Sequence, residues 1–214
     1  IKSLCTTRLP SHYQGLDAVR DIQVLTPVRK GKIGSIHLNK ELQALFNPPS
    51  PQRKEKLLKE RIFREGDKVM QIRNNYRLEW KRRDDFTDGQ GVFNGDVGYI
   101  ASIDLDNNQL TVVYEEVKFV TYEFLQCDEL ELAYAMTVHK SQGSEFPLVI
   151  LPISWFPSML ATRNLLYTAV TRARQAVILV GNEARLHGMV DNNAIVERYS
   201  GLGIRLRSYL GWES

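Results

Sequence analysis

The stretch Ala133–Ala173, AYAMTVHKSQGSEFPLVILPISWFPSMLATRNLLYTAVTRA, decides the fold. Its middle, Leu148–Leu151, is a short unbroken apolar run bounded by Pro147 and Pro152, the pattern of a strand buried on both faces of a parallel sheet. Before it, Thr137–Glu145 (TVHKSQGSE) brings hydroxyls, an imidazole, an ammonium, a glycine and a carboxylate together within nine residues. After it, a helical run ends at Thr171-Arg172-Ala173. Two polar clusters joined by one core strand predict a phosphate site on an α/β sheet.

Upstream, Asp21–Pro27 (DIQVLTP) is another compact apolar run closed by proline and reads as a core strand. The loop Val28–Gly34 follows with three cations and two glycines. Ligands of open α/β sheets sit beyond the carboxyl ends of strands, so this loop is placed for an anion, with a solvated basic turn as the competing reading. Ser35–Phe46 has helical spacing, and Asn47-Pro-Pro-Ser-Pro51 ends it because proline lacks the donor a helix needs. The charged stretch Gln52–Arg64 reads as a linker or solvated helix.

From Phe63 the pattern changes. Gly66–Asn75 alternates polar with apolar as a half-buried strand does, and Asn74-Asn75 supplies turn residues. The polar insertion Arg77–Gly91 places Trp80 beside Lys81-Arg82-Arg83, then Asp84-Asp85; it reads as a mobile surface loop, or as an aromatic and cations set for bases and phosphates. Strands resume at Val92–Ile103, Gln109–Tyr114 and Lys118–Phe124, with turns at Asn94-Gly95 and Asp106–Asn108. Five short strands without a helical period between them predict a small antiparallel barrel inserted between two α/β segments. Downstream, Ala176–Val180 reads as a buried strand, Glu183–Val190 as a short helix, and the tail to Ser214 as a further helix.

Composition narrows the classes. The chain has 214 residues, 43% hydrophobic and 25% charged, enough for a sizeable core and typical of a soluble globular protein. No apolar run approaches the roughly 20 residues of a membrane span, and no signal-peptide order opens the chain, so no membrane role is expected. Cys5 and Cys127 stand far apart, without a CxxC pair or clustered histidines; no metal site is expected, and the usage suits a reducing cytoplasm. The net charge of +3 leans basic without deciding a partner. Asp128-Glu129 precedes an apolar run instead of ending one, which makes it a surface turn and not a magnesium-holding pair.

These motifs resemble a known family. Thr137–Glu145 looks like motif V of superfamily 1 helicases and Leu166–Ala173 like motif VI, in the same order and separated by one strand. Val24–Pro27, Leu38-Asn39, Leu42-Gln43, GDKVMQIRNNY, VFNGDVG and LAYAMTVHKSQGSEFP are similar to the carboxy-terminal half of RecD-like DNA helicases. The resemblance implies a second RecA-like domain (1–62 and 128–214) interrupted by an SH3-like barrel (63–127), within an ATP-dependent 5′-to-3′ DNA helicase. The phosphate loop GxxxxGK[ST] does not occur; Gly31-Lys-Ile-Gly34 lacks its spacing and its ending. The expectation is therefore half a motor, with the amino-terminal domain upstream of Ile1 in the same parent chain, holding ATP and its Mg²⁺, and with this fragment alone unable to hydrolyse ATP.

The resemblance also assigns roles. Arg172 corresponds to the motif VI arginine that reaches the γ-phosphate, and Arg29 is a weaker motif IV candidate for the same phosphates, with Lys30 or Arg163 as substitutes. Gly143 and Glu145, with Gln142 and Arg163, fall on the nucleotide side. Thr137 and His139 fall on the single-stranded DNA side, where Lys140 and Ser141 are also assigned, although these two and Gln142 could serve either side; His139 has a core-histidine alternative. Asn74 and Asn75, with Tyr76 and Asn94, are barrel contacts for DNA, although turn chemistry accounts for the asparagines equally well. A rival reading is a non-catalytic nucleic-acid- or protein-binding module on a degenerate RecA-like scaffold.

Overall fold

The structure, a computed structural model, describes residues 1–193 and 201–210, with backbone alone at 202–204. In chain order the elements are α1 (Leu9–His12), β1 (Ile22–Thr26), α2 (Ser35–Phe46), β2 (Glu55–Leu58), β3 (Arg61–Arg64), β4 (Lys68–Gln71), β5 (Asn75–Arg82), β6 (Asp88–Val92), β7 (Val97–Asp104), β8 (Gln109–Tyr114), β9 (Lys118–Glu123), β10 (Leu130–Leu132), β11 (Ala135–Thr137), β12 (Phe146–Ile153), α3 (Arg163–Val170), β13 (Ala173–Gly181), α4 (Glu183–Asp191) and α5 (Leu202–Tyr209). The expected tail helix corresponds to α5 as far as it is described; 194–200 and 211–214 lie outside the described residues.

Four parallel strands form one sheet in the order β11-β1-β12-β13. Alternation along β12 divides its apolar run between two cores. Leu148 and Ile150 pack with Leu38 and Leu42 of α2, whereas Val149 and Leu151 pack with Leu165 and Leu166 of α3 and Met189 of α4. Each such fully buried side chain contributes about 1.5–3 kcal/mol, which makes β12 the centre of a three-layer α/β/α unit. The strand read from Ala176–Val180 exists as part of β13, but it is the sheet edge and only half-buried, with Leu179 40% exposed.

The second unit is a seven-stranded antiparallel sheet, order β10-β4-β7-β8-β9-β5-β6, wrapped around one core that includes Phe63, Val69, Ile100, Val112 and Tyr122. The sequence predicts five strands closed into a barrel. The ladder instead has seven strands, with β10 and β6 at its two edges and no pairing between them among the described residues. The insertion expected to be a mobile loop lengthens the β5–β6 hairpin: Trp80 pairs Gly89 and Val120, and Lys118 and Arg83 lie over the Trp80 and Phe119 rings. β4 is buried along its whole length, not half-buried. Gln52–Arg64 is neither linker nor helix, because β2 and β3 form a hairpin that turns at Lys59 with positive φ and buries Phe63 completely.

At the junction of the two sheets Lys68 is 2% exposed, donating to the Val19 carbonyl at 2.8 Å, and burial pushes its ammonium down to about 8. An unfolded lysine titrates near 10.4, so between these values the unfolded chain binds more protons and the Lys68 contribution to stability rises with pH. Replacing Lys68 with Met removes this linkage. The stability difference between wild type and Lys68→Met, from urea unfolding, should therefore move in favour of wild type by up to about 1.4 kcal/mol per pH unit from pH 8 to 10. A difference that stays flat with pH would refute a buried ammonium.

Candidate functional site

The register places the motif residues on two edges of the parallel sheet. Thr26 and Thr137 pair at the carboxyl ends of β1 and β11, whereas Phe146 and Ala173 pair at the amino ends of β12 and β13. The connection Val138–Glu145 therefore runs from one edge to the other, starting as a 3₁₀ turn over Val138–Ser141.

At the amino edge this connection meets Arg172, which follows the end of α3. The guanidinium donates Nη1 to the Ser144 carbonyl at 3.1 Å, Nε to the Thr168 carbonyl at 3.2 Å and Nη2 to Thr171 Oγ1 at 3.3 Å. The Phe146 N–H donates to the Arg172 carbonyl at 2.8 Å, which locks the two segments by backbone as well. Gly143 adopts φ +88° with open space around it, a conformation that glycine enters without strain and that leaves backbone exposed. Glu145 accepts from Arg174 Nε at 3.0 Å, and Gln142 is exposed beside them. Arg174, which the sequence reading missed, lies two residues beyond Arg172 in the same Thr-Arg-Ala-Arg string.

The carboxyl edge is different in charge. Glu131 of β10 accepts from Arg29 Nη2 at 2.7 Å and from Lys140 Nζ at 2.7 Å, with Arg61 Nη2 at 3.5 Å. Burial alone would raise this carboxyl, but the Lys140 hydrogen bond and the charges of Lys140, Arg29 and Arg61 hold it below the ordinary range. Neither Glu131 nor Arg61 stands out in the sequence, since each lies in a charged or alternating stretch of ordinary composition.

Several expectations change. Arg29 does not join Arg172: it follows the carboxyl end of β1 and is ion-paired to Glu131, off the opposite edge of the sheet. Arg163 opens α3 and donates Nε to the Val190 carbonyl at 2.6 Å, so it fastens α3 to α4 and is likewise away from Arg172. His139 is exposed, against the core-histidine alternative, and Thr137 is partly so. Ser141 is fully buried and donates to the Val138 carbonyl at 2.8 Å, a turn-closing contact that leaves it no face toward solvent. Asn75 donates to both Glu129 carboxylate oxygens at 3.0 and 3.2 Å, and Asn74 Oδ1 accepts from the Asn94 N–H at 2.9 Å. Tyr76 and Phe93 beside them form an exposed edge-to-face pair with centroids 5.6 Å apart. Glu129 also accepts from Gln71 at 2.8 Å, so its carboxylate bridges the end of β4 and the start of β5.

The three-layer sheet with its two polar edges and the antiparallel unit are accompanied by sequence matches to helicase carboxy-terminal regions. Residues 38–114 match the family described as the ATP-dependent RecD-like DNA helicase SH3 domain, and residues 132–180 match the UvrD-like helicase C-terminal domain. More particularly, the chain belongs to the RecD-like helicases. It is 37% identical over 161 residues to the ATP-dependent RecD2 DNA helicase of Deinococcus radiodurans, an alignment covering 75% of this chain and 20% of that protein. It is 46% identical over 80 residues to the RecBCD enzyme subunit RecD of Mycobacterium tuberculosis, covering 37% of this chain and 14% of that protein. Among solved structures, the Bacteroides Pif1 helicase in complex with ADP-AlF3 and ssDNA overlays 98% of this chain and 50% of its own, with a TM-score of 0.48 and 19% identity. The chain thus spans a fifth or less of the length of these two curated relatives. Among the described residues no helix is long and apolar enough to cross a membrane.

Proposed function

We propose that this chain is the carboxy-terminal motor half of an ATP-dependent 5′-to-3′ DNA helicase, acting in the cytoplasm. In this reading 1–62 and 128–214 form the second RecA-like domain and 63–127 the inserted SH3-like unit. The amino edge faces ATP held by an amino-terminal domain of the same parent protein, and the carboxyl edge faces single-stranded DNA. The observation that carries it is the connection Val138–Glu145, which links one edge to the other in a few residues, so that movement of Arg172 against Ser144 is transmitted toward His139.

The chemistry of each edge supports its ligand. Three of the five guanidinium N–H donors of Arg172 have protein acceptors, leaving two for phosphate oxygens, and the exposed Gly143 backbone admits a close approach. Glu145, the carboxylate in this connection, is already paired with Arg174, so the cluster fits an anion and not a divalent cation. Mg²⁺ therefore belongs with the phosphate loop of the amino-terminal domain, and this chain alone does not hydrolyse ATP. At the other edge Thr137 and His139 offer a hydroxyl and an imidazole to a phosphodiester.

The test is anisotropy with fluorescent oligo(dT). Thr137→Ala with His139→Ala should weaken binding by at least about tenfold, since two hydrogen bonds to charged groups exceed the roughly 1.4 kcal/mol that tenfold represents. Unchanged affinity in the double variant would remove this edge from DNA binding.

A further inference from the structure

The amino edge carries an exposed carboxylate beside the arginine assigned to phosphate. Glu145 is one residue beyond Ser144, whose carbonyl holds Arg172 Nη1 at 3.1 Å, and it precedes Phe146, whose N–H donates to the Arg172 carbonyl at 2.8 Å. Its partner is Arg174, which follows Ala173, the residue in register with Phe146, so the pair lies across the β12–β13 ladder. The contact is one-ended. Nε meets Oε2 at 3.0 Å, while Oε1 and both Nη groups have no protein partner among the described residues. The Glu145 and Arg174 side chains are 57% and 65% exposed. A pair as solvated as this contributes little to stability, so holding the fold together is not its main effect.

An unneutralised carboxylate at this place would oppose an anion in two ways. It would repel phosphates directly, and it would offer acceptor oxygens to the two Arg172 donors that the protein leaves free. A cation fixed against it cancels the first effect and occupies the carboxylate against the second. Arg174 stands in the same Thr-Arg-Ala-Arg string as Arg172, and a guanidinium keeps its charge at every working pH. Resting on the reading of the amino edge as the nucleotide edge, we propose that Arg174 is a positioning residue that masks Glu145 and so keeps Arg172 open to phosphate oxygens. It acts through Glu145 and needs no contact with the nucleotide.

The experiment uses a parent protein that joins this region to a GxxxxGK[ST] domain and measures DNA-stimulated ATP turnover against MgATP concentration. At low ionic strength Arg174→Ala should raise KM about fivefold to tenfold with kcat within about twofold, and the KM effect should shrink as salt screens the exposed carboxylate. Arg174→Lys keeps the charge and should stay near wild type in KM. Arg174→Ala with Glu145→Gln should bring KM back to within about twofold of wild type, because the charge is gone together with its mask and the two changes are coupled. An unchanged KM in Arg174→Ala would overturn the masking role. A raised KM that Glu145→Gln fails to restore would mean that Arg174 meets the nucleotide directly, which overturns it as well, and so would a loss of kcat at constant KM. Arg172→Ala in the same assay is the control. If it abolishes turnover while Arg174→Ala leaves KM untouched, only the masking falls; if neither variant affects turnover, the amino edge is not the nucleotide edge and both readings fall together.

Discussion

If Arg172 reaches the γ-phosphate as proposed, Arg172→Ala should lower DNA-stimulated ATP turnover by about 10³- to 10⁵-fold in a parent protein that joins this region to a GxxxxGK[ST] domain. The size of the effect follows from the position proposed for the guanidinium. An arginine that offers two fixed donors to phosphate oxygens gains most when those oxygens gain charge, in the transition state. The same side chain has a structural duty, because Nε and Nη1 satisfy the Thr168 and Ser144 carbonyls at the end of α3 and at the start of β12. Loss of that duty costs about 1 kcal/mol, the ordinary value for a cation at a helix carboxyl end, and cannot by itself produce a thousandfold rate change. Arg172→Lys separates the two contributions. Lysine keeps the charge beside the helix end but lacks the planar fork, so the melting temperature should stay near wild type while turnover stays low. Steady-state ATPase within tenfold of wild type for Arg172→Ala would take the arginine out of the reaction.

The parallel sheet was legible because its strands are unbroken apolar runs, and apolar runs of that length have few other uses. Their place in the sheet was not legible. Leu148–Leu151 and Ala176–Val180 look alike in composition, yet β12 is the buried centre and β13 the half-exposed edge, a difference set by which neighbours pair with each. The helix α2 was readable from its period, but its buried face includes Asn39 and Gln43 while Ile36 is 53% exposed. Asn39 is inside because its amide bridges the Leu132 and Ala135 carbonyls, partners some ninety residues away that no local pattern reveals. The β2–β3 hairpin was hidden for a related reason: charges dominate Lys54–Arg64, and Phe63 is the one apolar residue buried there. Within the site, the two motif strings were readable as chemistry, and the segment Gly143–Glu145 does meet Arg172. The placement of Arg29 was beyond the sequence, since a basic loop after a strand specifies an edge of the sheet but not which other residues share that edge.

Asp67→Ala should be the most damaging single change to stability, at about 3–5 kcal/mol. Its side chain is fully buried and accepts four hydrogen bonds: from Gln43 Nε2 at 2.6 Å, Asn47 Nδ2 at 2.7 Å, the Arg64 N–H at 2.7 Å and Tyr134 OH at 2.9 Å. Burial pushes its pKa up, and these four donors oppose that rise. The donors come from α2 and its carboxyl end, from β3 and from the segment entering β11, so one carboxylate ties the parallel layer to the hairpin. Alanine would leave several of these donors without acceptors in a space closed to solvent, and unpaired buried donors carry the full cost of their lost hydration. Asp67→Asn keeps the volume and one carbonyl oxygen but points an amide at two of the donors, so about half of the loss is expected. Urea unfolding of both variants measures the difference. A loss below about 1 kcal/mol for Asp67→Ala would mean that water enters and replaces the carboxylate, and the junction would then be a wet hinge instead of a rigid joint. The distinction reaches the carboxyl edge, because Arg61 of the hairpin stays beside Glu131 only if the hairpin cannot swing away from α2.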